Sequence, residues 1–573
     1  MGQTVTPEKK DLVDNKDAAK KAEDAAKKAD SAAKKVATTA KKVADAEKRG
    51  IPLWRAPVSA KPLPKDATIV ERFPLVEPYL SIAIMQEPGK NSYTYGIDEV
   101  RLTPEAAEIY SNIIDILQYE LKAPRGGVSP HEYFEDAAGK IIEKYRLRMK
   151  DVSISWPTIL YFAERDMVGF GPIDPFMKDP NIEDISVDGL NKPVYIWHRK
   201  YESLETNLHF EDEKDLDDTI SRLVHLAGKH ISTAYPVVDA TLPGRHRLAA
   251  TFKREVTPYG GTLTIRKFRE DPVTVIDLLD YGTLDHRIAA YAWLLMEHRA
   301  SSLIVGATAS GKTTFLNAIL SMTRPSYKII TIEEVQEINL PNDNWIAMTS
   351  RPSYGLSSER VGEISLFDLV KSAMRMRPDI LVLGEVRGEE AYVLFQAIST
   401  GHGGMSTLHA EEVSSAMQRL TSKPMDVAPA YISFLDLVFL VRRVAIPARK
   451  GRMTFGRRVL AVDEVSQFGQ YLRMFEWDPM TDTHTMVQPD FSKSVKIGKL
   501  AKTVGKNTAE LTEEIKRREL ILKWMQMEGI RNYRKVGAIF EQYYRTPQEI
   551  YKQAEAAMPR IKEAKHHEVP ARN

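Results

Sequence analysis

The chain has 573 residues, 43% hydrophobic and 28% charged, the balance of a soluble globular protein of about three or four domains rather than a disordered one. Eighty Lys and Arg against 78 Asp and Glu leave a formal net charge of +2, which argues against a protein whose main task is coating nucleic acid. With no cysteine there can be no disulfide, no cysteine-held zinc, no iron–sulfur cluster and no thiol nucleophile, and the composition fits a reducing compartment.

Residues 1–50 read as a Lys/Ala-rich helical arm. Lysine pairs recur at Lys20-Lys21, Lys27-Lys28, Lys34-Lys35 and Lys41-Lys42, with Ala22, Ala26, Ala29, Ala33, Val36, Ala40 and Val43 at heptad spacing between them. An alanine seam buries about 0.8 kcal/mol of apolar group per position, less than the ordering cost of a residue, so a solvated helix is expected. The sharper alternative is a basic arm that touches an anionic membrane surface or an acidic partner. The arm carries no hydrophobic signal segment, and no stretch approaches the ~18 apolar residues of a membrane span, so the chain reads as cytoplasmic.

Residues 51–67, with Pro52, Pro57, Pro62 and Pro64, read as a stiff linker. An α/β domain is expected over 68–270, with a helix around Ser111–Leu121 and strands at Pro193–Trp197 and Gly261–Arg266; Asp271-Pro272 marks a hinge. Over 271–480, apolar runs at Leu303–Val305, Ile329–Ile332, Ile380–Leu383 and Leu437–Leu440 alternate with helical patterns, as in a parallel sheet. The remainder, 481–573, is expected to be helical: Asn507 and Glu510 suit a capping box, Gly529 stops that helix, and Thr546-Pro547-Gln548-Glu549 suits the start of another.

The strongest motif is Gly306-Ala307-Thr308-Ala309-Ser310-Gly311-Lys312-Thr313, which follows an apolar strand and continues through Thr314 into a helix. Its glycines let backbone N–H groups curl around a phosphate at the positive end of that helix. Lys312 would reach the β- and γ-phosphates of ATP, and the Thr313 hydroxyl would ligate Mg²⁺. Three further segments narrow the field of P-loop proteins. Thr331-Ile332-Glu333-Glu334-Val335-Gln336-Glu337 ends the next strand in carboxylates, where Glu333 could act as a base on water; the alternative is a solvated strand-end cluster. Ile380-Leu381-Val382-Leu383-Gly384-Glu385-Val386-Arg387-Gly388 puts Glu385 at a buried strand end as a Mg²⁺ or water ligand, with Gly384 where many P-loop enzymes have aspartate. Thr400-Gly401-His402 through Thr407-Leu408-His409-Ala410 brackets a Gly-rich turn with two histidines, either functional or core residues.

Together these segments resemble the secretion-ATPase superfamily, the hexameric motors of type II secretion, type IV pili and archaella. The resemblance covers about 165–470 and rests on the P-loop, the Thr-Ile-Glu-Glu segment, Gly-Glu-Val-Arg-Gly and Thr-Gly-His…Thr-Leu-His-Ala, in that order. Glu334 replaces an aspartate of the family pattern, and the absence of cysteine excludes a four-cysteine zinc insertion, which favours an archaeal-type member. The resemblance implies an α/β chain with a RecA-like P-loop NTPase core, a separate N-terminal α/β domain and a helical C-terminal region. It further implies ATP hydrolysis with Glu333 as base, a γ-phosphate or relay role for His409, and arginines that reach nucleotide from the N-terminal domain, for which Arg245, Arg247 and Arg266 are the candidates. A homohexamer is implied, working at the inner face of the cell membrane on a polytopic platform protein and pilin-like filament machinery. The alternative is a nucleic-acid translocase or DNA-transfer ATPase on the same core.

Overall fold

The computed structural model describes residues 57–89, 92–120, 156–269, 271–351, 362–446 and 454–567, with isolated positions between 134 and 140. The Lys/Ala arm at 1–50 lies outside the described residues. The chain divides between Lys267 and Phe268 into two compact units, just ahead of the Asp271-Pro272 pair, and among the described residues each unit has a nine-stranded sheet.

In the first unit the strands are β1 (Thr68–Val76), β2 (Leu80–Gln86), β3 (Tyr93–Glu99), β4 (Ile182–Val187), β5 (Pro193–His198), β6 (Glu202–His209), β7 (Val237–Leu242), β8 (His246–Thr251) and β9 (Thr262–Arg266). They pair in the order β1-β2-β3-β6-β5-β4-β9-β8-β7. Apolar residues alternate along the last strands, so that Val238, Ala240, Leu242, Leu248, Ala250, Leu263 and Ile265 enter the core while their neighbours lie on the other face. Helix α4 (Glu213–Leu226) contributes Leu216, Ile220, Leu223 and Val224 to the same core. The earlier helices are α1 (Pro104–Glu120), α2 (Trp156–Met167) and the short α3 (Asp174–Lys178).

Two polar devices knit this unit together. The Asn207 side chain accepts from Ile97 N–H at 2.8 Å and donates to the carbonyls of Ile97 and Lys61 at 2.9 and 2.5 Å, extending the short β3–β6 pairing. It also ties the end of the Pro-rich segment down, where Ala60 is buried. Arg165 of α2 is buried with its guanidinium on Glu99 and Asp166, both at 2.8 Å, and on Val58 O at 2.9 Å. Tyr161 and Tyr110 complete the carboxylates' bonding.

The second unit opens with α5 (Val275–Asp280) and α6 (His286–Glu297) and continues as β10 (Ser302–Gly306), α7 (Lys312–Leu320), β11 (Ile329–Glu333), β12 (Trp345–Thr349), α8 (Leu366–Met374), β13 (Ile380–Leu383), α9 (Glu390–Ser399), β14 (Gly403–His409), α10 (Val413–Thr421) and α11 (Pro429–Ile432). Strands β15 (Leu437–Ile446), β16 (Thr454–Gln467), β17 (Gln470–Asp478) and β18 (Thr483–Met486) follow. The sheet order is β12-β11-β13-β14-β10-β15-β16-β17-β18, parallel as far as β15 and an antiparallel meander beyond. The four apolar runs expected to be strands are β10, β11, β13 and part of β15. They lack alternation because both faces are covered. Ile304, Val382, Met405 and Phe439 meet one helical layer, whereas Leu303, Val305, Leu381 and Leu383 meet the other.

The C-terminal helices α12 (Val495–Val504), α13 (Thr508–Met527), α14 (Tyr533–Arg545) and α15 (Pro547–His567) share the first of these cores with α5, α6 and α7. Asn507 and Glu510 form the expected capping box on α13, and Gly529 stands at φ 67° beyond that helix. Thr546 stands, as expected, directly before α15, its carbonyl accepting from Glu549 N–H at 3.1 Å, while its hydroxyl donates back to Gln542 O of α14 at 3.3 Å. The edge-on contact of Trp293 with Phe540 and the buried Arg518–Glu297 pair join α13 and α14 to α6.

Replacing Arg165 by alanine should destabilise the first unit by about 3–5 kcal/mol, because Glu99 and Asp166 would be left without their buried cation. Chemical denaturation followed by tyrosine and tryptophan fluorescence checks this; a loss below about 1 kcal/mol would show that the cluster is solvated.

Candidate functional site: a P-loop and its carboxylates

The loop 306–311 lies between the end of β10 and the start of α7, and its glycines are required by space. A Cβ at Gly306 would stand 2.1 Å from Val441 O and 2.6 Å from Ser310 Oγ. Gly311 caps α7 at φ 90°, and a Cβ there would meet Arg457 Cδ at 2.7 Å. Ala309 also has a positive φ, 59°, so the chain makes a tight left-handed curl, closed by Ser310 N–H donating to Ala307 O at 3.3 Å. Ser310 Oγ is buried without a hydrogen-bond partner. This cradle fits a nucleotide phosphate. Thr313 and Thr314 stand in the first turn of α7, less buried than Lys312.

Lys312 is buried, and its Nζ donates to Ala307 O at 3.0 Å. Burial lowers its pKa, with Glu385 pulling the other way. The parallel pairing of β10 with β14 sets Gly306 opposite His409, which carries the imidazole to the loop. His409 Nδ1 lies 3.3 Å from Lys312 Nζ and 3.5 Å from Thr308 Oγ1, and Nε2 lies 3.1 Å from Glu385 Oε1. Burial and the Lys312 cation lower the pKa of His409, so the neutral ring accepts at Nδ1 and donates Nε2–H to Glu385. Lys312, His409 and Glu385 thus form one contiguous cluster.

Glu385 is not the buried, poorly satisfied carboxylate that the sequence implies. Arg387 donates to its Oε2 at 2.8 Å and also faces Glu334 Oε2 at 3.8 Å. The turn that holds Arg387 is closed by Glu390, whose Oε1 accepts from the N–H groups of Arg387 and Gly388, both at 2.7 Å. The buried carboxylate is Glu333, only 4% exposed. Its Oε1 accepts from the N–H groups of Glu337 and Ile338 at 3.0 and 3.1 Å, while Oε2 is buried without a partner. Desolvation outweighs those two bonds and pushes its pKa up to about 7. Gly384 takes the usual aspartate position for a steric reason: a Cβ there would come 2.9 Å from Glu333 Cγ.

Other candidates fall elsewhere. His402 precedes β14 at the end opposite to His409, bonded to Thr400 and to Ala397 O. Arg247 and Arg266 are cross-strand neighbours on the exposed face of β8 and β9, Arg266 also opposes Asp184 of β4, and Arg245 stands at φ 65° in the turn before β8. All three belong to the first unit, whereas the P-loop belongs to the second. Among the described residues no group of three or more His, Asp or Glu side chains forms a protein-only cation cage. A Mg²⁺ held at Thr313 and Glu385 would therefore complete its shell with nucleotide oxygens and water. The sequence placed Arg387 only within the Gly-Glu-Val-Arg-Gly motif and gave no sign of Glu390, whose bonding to the Arg387 and Gly388 N–H groups is a tertiary detail.

A sequence profile of the type II/IV secretion system proteins matches residues 166–558, and the chain belongs to that family of secretion ATPases. Its fold is accordingly a RecA-like P-loop core with an α/β N-terminal domain and a helical C-terminal region. An uncharacterized protein of Methanocaldococcus jannaschii is 36% identical over 392 residues, 67% of this chain and 69% of that protein. A second uncharacterized protein of the same archaeon is 41% identical over 239 residues, 41% of this chain and 33% of that one. A putative conjugal transfer protein of Mycobacterium tuberculosis is 31% identical over 272 residues, 46% of this chain and 75% of the other. Among solved structures, the ATPase DotB of Legionella pneumophila is similar at 17% identity and a TM-score of 0.38, over 67% of this chain and 95% of that one. No helix among the described residues is long and apolar enough to cross a membrane.

The raised pKa of Glu333 has a pH signature. Between its usual value of 4.5 and about 7 the folded chain holds this proton and the unfolded chain releases it, so stability should fall as pH rises through that window and level off above it. Glu333→Gln should remove this share of the slope in nucleotide-free protein. Thermal unfolding from pH 4.5 to 8 checks this, and identical profiles for both proteins would mean that folding does not raise the pKa of Glu333.

Proposed function

We propose that the chain is an ATPase motor, working as a homohexamer, that powers assembly or secretion of type IV pilin-like filaments through a polytopic membrane platform protein. The observation that carries this reading is the joint geometry of the P-loop: His409 lies within hydrogen-bond range of both Lys312 and Glu385, and beside Gly384 Glu333 keeps a buried, unpartnered oxygen with a pKa of about 7. A base for water works best near the ambient pH.

Gly306, Ala307, Thr308, Ala309, Ser310, Gly311, Lys312, Thr313 and Thr314 would hold ATP, and Thr313 with Glu385 would hold Mg²⁺ through oxygen and water. Bound Mg²⁺ supplies charge neutralisation on the phosphate oxygens. Glu333 Oε2 takes the proton from the attacking water. Lys312 leaves Ala307 O to meet phosphate, and neutral His409 keeps the ammonium and Glu385 in register. Arg245, Arg247 and Arg266 would cap the site from the N-terminal unit, in the manner of arginine fingers. The chain would work at the inner face of the cell membrane, with the Lys/Ala arm available to an anionic lipid surface.

A DNA-transfer ATPase is the second reading, favoured by the similarity to a conjugal transfer protein. ATP turnover by purified protein tests both. Lys312→Ala should lower it by at least about 10²-fold, the scale of losing one preorganised group at a developing charge. Turnover raised by detergent-solubilised platform protein supports the filament motor. Turnover raised by DNA, with a steep salt dependence, would replace that reading with the second. Near-normal turnover in Lys312→Ala would remove both.

A further inference from the structure

We propose that Arg457 is the contact for the nucleoside end of the bound nucleotide, its guanidinium forming a wall against the purine face. This rests on the reading of the P-loop as an ATP site and adds a residue from outside all the motifs that define it.

The sheet order supplies the direction. Strand β10 lies between β14 and β15, so the loop at its end has two flanks. His409 of β14 and Glu385 after β13 gather with Lys312 on one flank, and that is where the terminal phosphate belongs. A nucleotide whose last phosphate meets those groups runs back along the loop's N–H groups and leaves over the other flank, which β15 and β16 form. Arg457 of β16 is a cation on that flank, directly opposite Arg443 of β15. Its side chain lies against Gly311, where a Cβ would stand 2.7 Å from Arg457 Cδ, and its Nε–H reaches Ala309 O at 3.5 Å, the outer limit of a hydrogen bond. The residue is exposed.

The placement is built rather than incidental. The next residue, Arg458, is buried and grips Asp482 through two bonds of 2.7 and 2.9 Å. Its Nη1 donates to Tyr281 O and to Arg457 O, both at 2.9 Å. The strand is thereby pinned at Arg457, and because successive residues of a strand face opposite ways, the Arg457 side chain is turned onto the P-loop. Gly456 lets the paired strand approach, since a Cβ there would stand 2.3 Å from Ile446 Cδ1. The two arginines thus divide their work: Arg458 fixes the backbone and Arg457 meets the ligand. A planar guanidinium stacks on an aromatic ring in a way an ammonium does not.

The test compares a ligand that has a purine with one that has none. Dissociation constants for ADP and for inorganic tripolyphosphate are measured by calorimetry on the full chain, wild type, Arg457→Ala and Arg457→Lys, with thermal unfolding as the control for folding. Arg457→Ala should weaken ADP about 3- to 30-fold, the range of a cation–π contact, and leave tripolyphosphate within twofold. Arg457→Lys should keep the tripolyphosphate affinity and recover little of the ADP affinity. Equal losses for both ligands would make Arg457 a phosphate contact, and unchanged ADP binding would make it a spectator; either result overturns the proposal while leaving the ATP site standing. Wild-type protein that binds neither ligand would overturn the nucleotide reading, and this proposal with it.

Discussion

Strand β10 is hydrogen-bonded along its length to β14 on one side and to β15 on the other, and that double pairing governs what happens at its C-terminal end. The register that sets Gly306 opposite His409 brings the imidazole to the P-loop, and the close passage of Val441 O is what forbids a side chain at position 306. A slip of one residue in a parallel pair would turn His409 to the opposite face and separate it from Lys312. The sheet can hold this register because both its faces are buried, which makes any other pairing costly in exposed apolar surface.

Two glutamates at neighbouring strand ends illustrate how surroundings divide similar groups. Glu385 has a guanidinium and an imidazole for partners and remains partly exposed. Glu333 lies deeper, satisfied at one oxygen by two backbone N–H groups and unsatisfied at the other, an environment that suits a group exchanging a proton near neutrality. Gly384 links the two: its missing side chain gives Glu333 its room, and its carbonyl is held by Thr407 Oγ1 at 2.8 Å. The motif's apparent departure from the usual aspartate is therefore a packing consequence of a different carboxylate filling the space.

The helical C-terminal region is part of the nucleotide-binding unit and not an appendage to it. Arg518, buried against Glu297, Glu514 and the rings of Trp293 and Tyr543, ties α13 to α6, while Tyr544 O–H donates to Met322 O beyond α7. The helix that starts at the P-loop thus packs in the same core as the last helices of the chain. A change of state at the loop has a continuous packed route to them.

By itself the sequence determined the P-loop, the order of the motifs and the strands β10, β11, β13 and β15, because each rests on local chemistry: glycines where the backbone must curl, carboxylates at strand ends, and apolar runs of strand length between helical patterns. The Asn507 capping box was legible for the same reason. Tertiary structure alone decided which carboxylate is buried and which is paired, since Glu333 and Glu385 look alike along the chain and differ only in what packs around them. It alone separated His409 from His402, two residues of one motif carried to opposite ends of one strand. It also brought Arg457 to Gly311, residues from strands and loops far apart in the chain that meet because β16 pairs with β15 beside the P-loop strand. A neighbour across a sheet leaves no mark in the local pattern of either strand, and desolvation depends on that neighbour.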